Sequence, residues 1–334
     1  MILLYHVFSG MSNHGRVQLP LNSDYGGAVM LLNDAFKLFL ADRESYCSAK
    51  TLVYYHDNVP RFFGYLFDCL GQDAGSLDCS DVTRSHVTGF VSSLRCSGRK
   101  NTTVNTYFRA VKVFLNYCIG EGYCEPDILR KVKFLKNDAA PVVPLSGPEV
   151  DEIDGLFNWN TETGMRNLCI VHLMLDAGFR SSEVVNLQYS GINFNGNYLT
   201  VKGKGDKYRS VLLCPKLKRM LSHYLIKFRS CVPDDDYPVF ARIGSQEPLT
   251  AEYIKQLFAR VKTRTGIVRL HPHLLRHTFA TSYIMGGGNL EFLRLMLGHG
   301  DYDTTRIYLH LAQEAKMRNS DIYRLDAVFF KSVY

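Results

Sequence analysis

The chain contains no run of about 18 apolar residues, so nothing in it is long enough to read as a membrane-spanning helix. Its opening Met1-Ile2-Leu3-Leu4-Tyr5 is apolar but short and has no basic leader, so it is not expected to be a signal peptide. Met11, followed by Ser12-Asn13-His14, is an alternative start, and residues 1–24 are expected to be an extension outside the domains. No CxxC pair occurs among the nine cysteines, and the closest two are Cys118 and Cys124. That odd, scattered set argues against a disulfide framework and for reduced, mostly buried thiols in a cytoplasmic protein. No G-x-x-x-x-G-K-[ST] pattern is present, so nucleotide hydrolysis has no support. Internal repeats, low-complexity tracts and a matched carboxylate pair are also lacking.

What is present is an ordinary folded composition. The 334 residues are 46% hydrophobic and 21% charged, enough for two domains that each bury a core. The net charge of +7 is modest and leans toward a polyanionic partner, because Lys and Arg draw in phosphate through long-range field and counterion release.

Periodicity predicts helices from Gly26 to about Lys136. Leu31, Leu32, Ala35, Phe36, Phe39 and Leu40 form one apolar stripe, and a second segment runs from Ala49 to Cys69. Asp81 is a candidate N-cap for a third helix, and Asn101 precedes a fourth that stops near Gly120. Four helices with short connections read as a bundle, placed over residues 25–137. The non-periodic segment 138–145, with Pro141 and Pro144, is the expected linker. Ser146-Gly147-Pro148-Glu149 then has capping-box spacing and opens a second domain over 146–312. It reads as helical to about Leu187, has short strands near Tyr198–Lys202 and Tyr208–Leu213 around turn residues, and returns to helix after Pro215. The fold class is therefore mainly α with a small β-sheet.

Four separated segments combine basic or imidazole groups with turns or helix starts. In Gly178-Phe179-Arg180-Ser181-Ser182-Glu183, an arginine stands at a helix junction where Ser181 can cap the next helix. Its guanidinium is a fork for two phosphate oxygens or, more plainly, an ion-pair partner for Glu183. In Lys202-Gly203-Lys204-Gly205-Asp206-Lys207-Tyr208-Arg209, two glycines put Lys204 on a hairpin tip. There it can protonate a leaving oxygen, or be one more solvated charge. In His271-Pro272-His273-Leu274-Leu275-Arg276-His277, Pro272 suits a first helical turn and leaves His273 and Arg276 on one face. His273 and His277 at i, i+4 invite zinc, but no acidic or Cys ligand accompanies them and Arg276 repels a dication, so no metal is expected. His277 alone reads as core packing. The last segment, Leu297-Gly298-His299-Gly300 to Thr304-Thr305-Arg306-Ile307-Tyr308, sets a tyrosine nine residues after a glycine-flanked histidine. Two arginines, a lysine, two histidines and a tyrosine suit attack on a phosphodiester: cations neutralise the pentavalent state, an acid protonates the departing oxygen, and tyrosine attacks.

In this order, over residues 178–310, the segments resemble the catalytic domain of the tyrosine recombinase (phage integrase) family. The resemblance implies that Arg180 and Arg276 clamp the scissile phosphate and that Lys204 is the general acid toward the 5′-oxygen. It makes His273 the acid/base partner, gives His299 a hydrogen bond to the phosphate, and has Tyr308 form a 3′-phosphotyrosyl bond. Glu183 would support the histidine and arginine geometry. No cofactor, ATP or metal is implied. The helical first domain is similar to the family's core DNA-binding domain, with Arg99, Lys100, Arg109 and Lys112 as candidate phosphate contacts. Lys202, Lys207, Arg209 and Arg264 are the candidates in the second domain. The implied partner is double-stranded DNA with paired sites, exchanged through a Holliday junction by a homotetramer, with an accessory directionality factor as a further partner. The apolar tail over 313–334, with Leu325, Val328, Phe329 and Phe330, either packs on its own domain or docks into a neighbouring subunit. Integration or excision of a mobile element is the first role expected. Chromosome or plasmid dimer resolution, a type IB topoisomerase and a non-catalytic DNA-binding regulator are the alternatives.

Overall fold

The structure is a computed structural model that describes residues 29–136, 142–203, 208–229, 237–298, 305, 308 and 309. The chain divides into two compact units, the break falling after Ala139 within the expected linker.

The first unit holds five helices: α1 (Leu32–Glu44), α2 (Ala49–Asn58), α3 (Pro60–Leu70), α4 (Arg84–Cys96) and α5 (Asn101–Gly120). The expected single helix from Ala49 to Cys69 is two, because Pro60 lacks the N–H that an uninterrupted helix needs and instead starts a new one. The expected cap at Asp81 is also displaced. Asp81 belongs to a short 3-10 turn, Cys79–Asp81, and Thr83 caps α4, its N–H donating to His86 Nδ1 at 3.2 Å. The core is aromatic. Phe114 of α5 meets Phe36 and Phe39 of α1 at 5.6 Å and Phe63 of α3 at 5.7 Å between ring centroids, all edge-on as ring quadrupoles prefer. Beyond α5 the chain runs back along that helix: Asn105 bonds the Leu135 main chain through both its Nδ2 (2.8 Å) and Oδ1 (2.9 Å).

The second unit begins before the expected boundary, since Leu145 is fully buried and its N–H donates to Thr278 Oγ1 at 2.9 Å. The Ser146/Glu149 capping box opens α6 (Gly147–Gly155) as its spacing predicts, Glu149 accepting the Ser146 N–H at 2.9 Å. Next come α7 (Glu162–Asp176), α8 (Ser181–Val185) and an antiparallel sheet of β1 (Ile192–Asn193), β2 (Tyr198–Lys202) and β3 (Tyr208–Leu212) in that order. The unit continues with α9 (Pro215–Phe228), α10 (Ala251–Thr265), α11 (Pro272–Met285) and α12 (Leu290–Leu297). Helix α7 is buried from Gly164 to Asp176 and packs between α9 and α11, so it is the centre of the unit rather than an amphipathic surface helix. Its polar residues are accordingly paired: Arg166 donates to Ala241 O and Tyr253 Oη, both at 2.7 Å. His172 lies between Asp176 (2.8 Å) and Asp154 (2.9 Å). Among the described residues no helix is long and apolar enough to cross a membrane.

Candidate active site

The end of α7, the start of α8, strand β3, helix α11 and the end of α12 converge on a group of arginines. Gly178 makes the junction possible. Its φ of 65° is one that side-chain-bearing residues rarely adopt, and a Cβ there would stand 2.6 Å from Phe279 Cδ1. The turn ends on Arg180, the residue that caps α8, and Glu183 one turn later accepts the Arg180 N–H at 2.6 Å. Ser181, expected as the cap, is the first helical residue.

Glu183 is 3% exposed and binds two guanidinium groups: Arg180 Nη1 at 2.8 Å, and Arg209 through Nη2 at 2.9 Å together with Nη1. Burial would raise its carboxyl pKa, but the Arg209 fork and Arg180 outweigh that and hold it below the usual carboxylate range. Arg276 projects from α11 with 4% exposure, donating through Nη1 to Gly178 O (2.5 Å) and through Nη2 to Leu297 O (2.6 Å). Burial, joined by repulsion from Arg180 and Arg209, lowers its pKa to about 9. Three guanidiniums facing one carboxylate leave positive charge in excess, which is the electrostatic condition for holding a phosphate as negative charge builds on it.

Tyr308 is 3% exposed and lies in the field of Arg276 and Arg180. Burial raises its phenol pKa and the two cations oppose the rise, so ionisation of this hydroxyl depends on those arginines. The His277 ring stands against it, 5.5 Å between centroids. Burial, with help from His273, His271 and Arg276, lowers the His277 pKa to about 4, so the group beside the phenol is a neutral imidazole near pH 7. His273, reached by solvent on the first turn of α11, is lowered by partial desolvation and by Arg276 and Arg180, and is likewise neutral there. His271 caps α11, its Nδ1 accepting the Leu274 N–H at 3.2 Å.

The structure thus brings Arg180, Glu183, His273, Arg276 and Tyr308 to one place. Lys204, Lys207 and His299 lie outside the described residues, as does the tail over 313–334. Arg209 requires a correction: the sequence suggested a surface phosphate contact, whereas its side chain is 9% exposed, forks onto Glu183, donates through Nε to Met296 O and lies over the Phe179 ring. A guanidinium so committed builds the site rather than tracking a DNA backbone. Alternation in β3 carried the signal, because Arg209 shares its strand face with buried Val211. Lys202 ends β2 and Arg264 lies in the last turn of α10, both exposed. On the first unit, Arg99 and Arg61 lie over the Tyr107 ring, and Arg109 and Lys112 over Phe134, while Lys100 is exposed before α5. Arg61 was missed because it stands far in sequence from the basic cluster it joins.

Residues 149–315 match the phage integrase family, and residues 34–122 match the phage integrase N-terminal SAM-like domain. The tyrosine recombinase XerD of Caulobacter vibrioides is 31% identical over 249 residues, 71% of this chain and 80% of that protein. Among solved structures, the site-specific recombinase XerH bound to a palindromic difH substrate in a post-cleavage complex superposes with a TM-score of 0.67 at 20% identity, covering 86% of this chain and 83% of that one. The Tn1549 transposon integrase in complex with transposon right-end DNA gives a TM-score of 0.67 at 17% identity, covering 86% and 99%. With the family match spanning both units and the arginines, histidine and tyrosine of its motifs gathered at one centre, the chain belongs to the phage integrase family, the tyrosine recombinases that break and rejoin DNA.

Proposed function

We propose that the chain is a site-specific recombinase that exchanges strands between two DNA duplexes through a 3′-phosphotyrosyl intermediate and a Holliday junction. The observation that carries this is the burial of Tyr308 within the field of Arg276 and Arg180, at a centre with excess positive charge. In the reaction, the two guanidiniums hold the non-bridging oxygens of the scissile phosphate. The Tyr308 oxygen attacks phosphorus, its proton passing to His273. The P–O5′ bond breaks, and the departing oxygen takes its proton from Lys204, while His299 hydrogen-bonds the phosphate. Attack by the 5′-hydroxyl of the partner strand reverses these steps, so bond energy is conserved in the phosphotyrosine. Glu183 holds Arg180 in place, accepting from its Nη1. Arg99, Lys100, Arg109, Lys112, Lys202, Lys207 and Arg264 contribute phosphate contacts that position the duplex without reading its sequence. The assembly is a tetramer on paired sites.

A nicked suicide substrate carrying the correct site tests the chemistry. Wild-type protein is expected to accumulate a covalent adduct, and Tyr308→Phe to reduce it by roughly 10³-fold or more, since no other group replaces the nucleophile. Equal trapping by the variant would move the nucleophile, with Tyr302 as the next candidate. Two marked plasmids with paired sites give recombinants under this proposal, whereas a type IB topoisomerase only relaxes supercoils and a binding regulator does neither.

For the biological role we propose integration or excision of a mobile element, a fold shared alike with a transposon integrase and with the XerH recombinase being compatible with it. Sites flanking the coding DNA as inverted repeats about a short spacer support it. A site that converts chromosome or plasmid dimers to monomers, and does not move the element, favours dimer resolution instead.

A further inference from the structure

Three cysteines that are far apart in the sequence meet inside the first unit. Cys79, Cys118 and Cys124 are all buried, at 0%, 0% and 6% exposure, and their sulfur atoms lie within 4.8 Å of one another. Close packing of an apolar core asks only for small side chains of the right volume, and does not call for three sulfurs at one point. Each segment that carries one is held by its own backbone. The Cys79 N–H donates to Met30 O at 2.8 Å, at the head of the 3-10 turn that Asp78 caps. Cys118 sits in the last turn of α5. After that helix Gly122 takes a φ of 76°, and the N–H groups of Tyr123 and Cys124 both return to Cys118 O, at 2.8 and 3.3 Å. The reversal brings Cys124 back beneath Cys118. Its thiol donates to the Cys79 main-chain oxygen at 3.1 Å, an oxygen that also accepts the Val82 N–H at 3.2 Å.

We propose that Cys79, Cys118 and Cys124 form a binding site for a thiophilic divalent metal ion, zinc in the cell, that ties the turn before α4 to the end of α5. Zinc–sulfur bonds of about 2.3 Å in a tetrahedral set place sulfurs roughly 3.8 Å apart, inside the limit this cluster meets. A nearly preformed trio needs only small side-chain adjustment to close on the ion. Each thiol releases its proton to solvent on ligation, and the metal gains a donor set whose softness selects zinc or a softer ion over magnesium or calcium. A water completes the fourth position. Cys124, the one member with measurable exposure, marks the side from which the ion enters.

The test uses the full chain, purified under reducing conditions and loaded with zinc or cobalt(II). Elemental analysis after gel filtration is expected to give one zinc per chain. Cobalt(II) is expected to give sulfur-to-metal charge-transfer absorption in the near ultraviolet, which zinc then bleaches. Cys118→Ser and Cys79→Ser should lower the bound metal at least tenfold, while the exposed pair Cys69→Ser and Cys96→Ser keeps it. Zinc should raise Tm by about 5 °C, and a chelator should reverse the rise. Should the serine variants fail to fold, the wild-type stoichiometry and cobalt spectrum decide. Wild-type protein that binds neither ion at one equivalent overturns the proposal, including the case where two of the three thiols are found joined as a disulfide. Equal loss of metal in the Cys69/Cys96 variant overturns it as well.

Discussion

The two units differ in what they allow inside. Among the described residues, the buried polar side chains of the first unit are two amides, Asn58 and Asn105, set around an interlocked group of phenylalanines. The second unit buries Arg166, His172, Asp176, Glu183 and Arg276. Apolar burial needs no partner beyond good packing. A buried charge is tolerated only when it is paired and hydrogen-bonded, so such charges persist where their field is used or where they brace something that is used. Glu183 and Arg209 belong to the second kind: Glu183 holds Arg180, Arg209 holds Glu183, and their mutual pairing offsets the cost of burying them.

The comparison is tested most severely by a matched pair of substitutions. Phe114→Ala and Glu183→Ala are each expected to cost about 3–5 kcal/mol in urea unfolding, the first through a cavity and the second by leaving Arg209 and Arg180 without their carboxylate. Phe114→Ala should still form the covalent DNA adduct under conditions where the protein is folded, whereas Glu183→Ala should not. Adduct formation by both would show that the buried charges serve stability alone.

The next effect is a pH dependence confined to the second unit. His172 is desolvated, which lowers its pKa, but Asp176 and Asp154 overcome this and raise it to about 9. A pKa above the unfolded value means that the folded state binds the proton more tightly. The contribution is therefore complete below about pH 6.5 and is lost as pH rises to about 9, by up to roughly 3 kcal/mol. Denaturation midpoints between pH 6 and 9 measure it, and His172→Asn should flatten the slope. A slope unchanged in that variant would assign the dependence elsewhere. Smaller again is Gly178→Ala, expected to cost about 1–3 kcal/mol because a methyl group must take a left-handed φ and press on Phe279. A Tm equal to wild type would show that the junction relaxes.

The sequence revealed the first unit's helices more fully than their joints. Apolar spacing marks α1 and α5, but Pro60 turns one apparent helix into two without an intervening loop, since Val59 keeps helical angles while ending α2 and capping α3. Asp81 and Thr83 are both capping residue types two positions apart, and only the 3-10 turn that takes up Asp81 leaves the cap of α4 to Thr83. In the second unit β2 was legible from its alternation and flanking turns, and the capping box at Ser146 from its spacing. The site's charged residues were legible as types in an order. What could not be read was their pairing: Glu183 meets Arg209, 26 positions away, only because the fold brings Arg209 of β3 within side-chain reach of α8. The cysteine trio was hidden for the same reason, with Cys79 remote from the other two and no motif spacing to announce it.

The hold on Arg276 has a consequence for how such a centre can diverge. Two of its acceptors, Gly178 O and Leu297 O, are main-chain oxygens, and no exchange of side chain at position 297 can delete the second. The grip is written into the course of the backbone, which at Gly178 itself depends on the absence of a side chain. Substitution of the side chain at 297 therefore leaves the orientation of the Arg276 guanidinium in place as long as the end of α12 keeps its course.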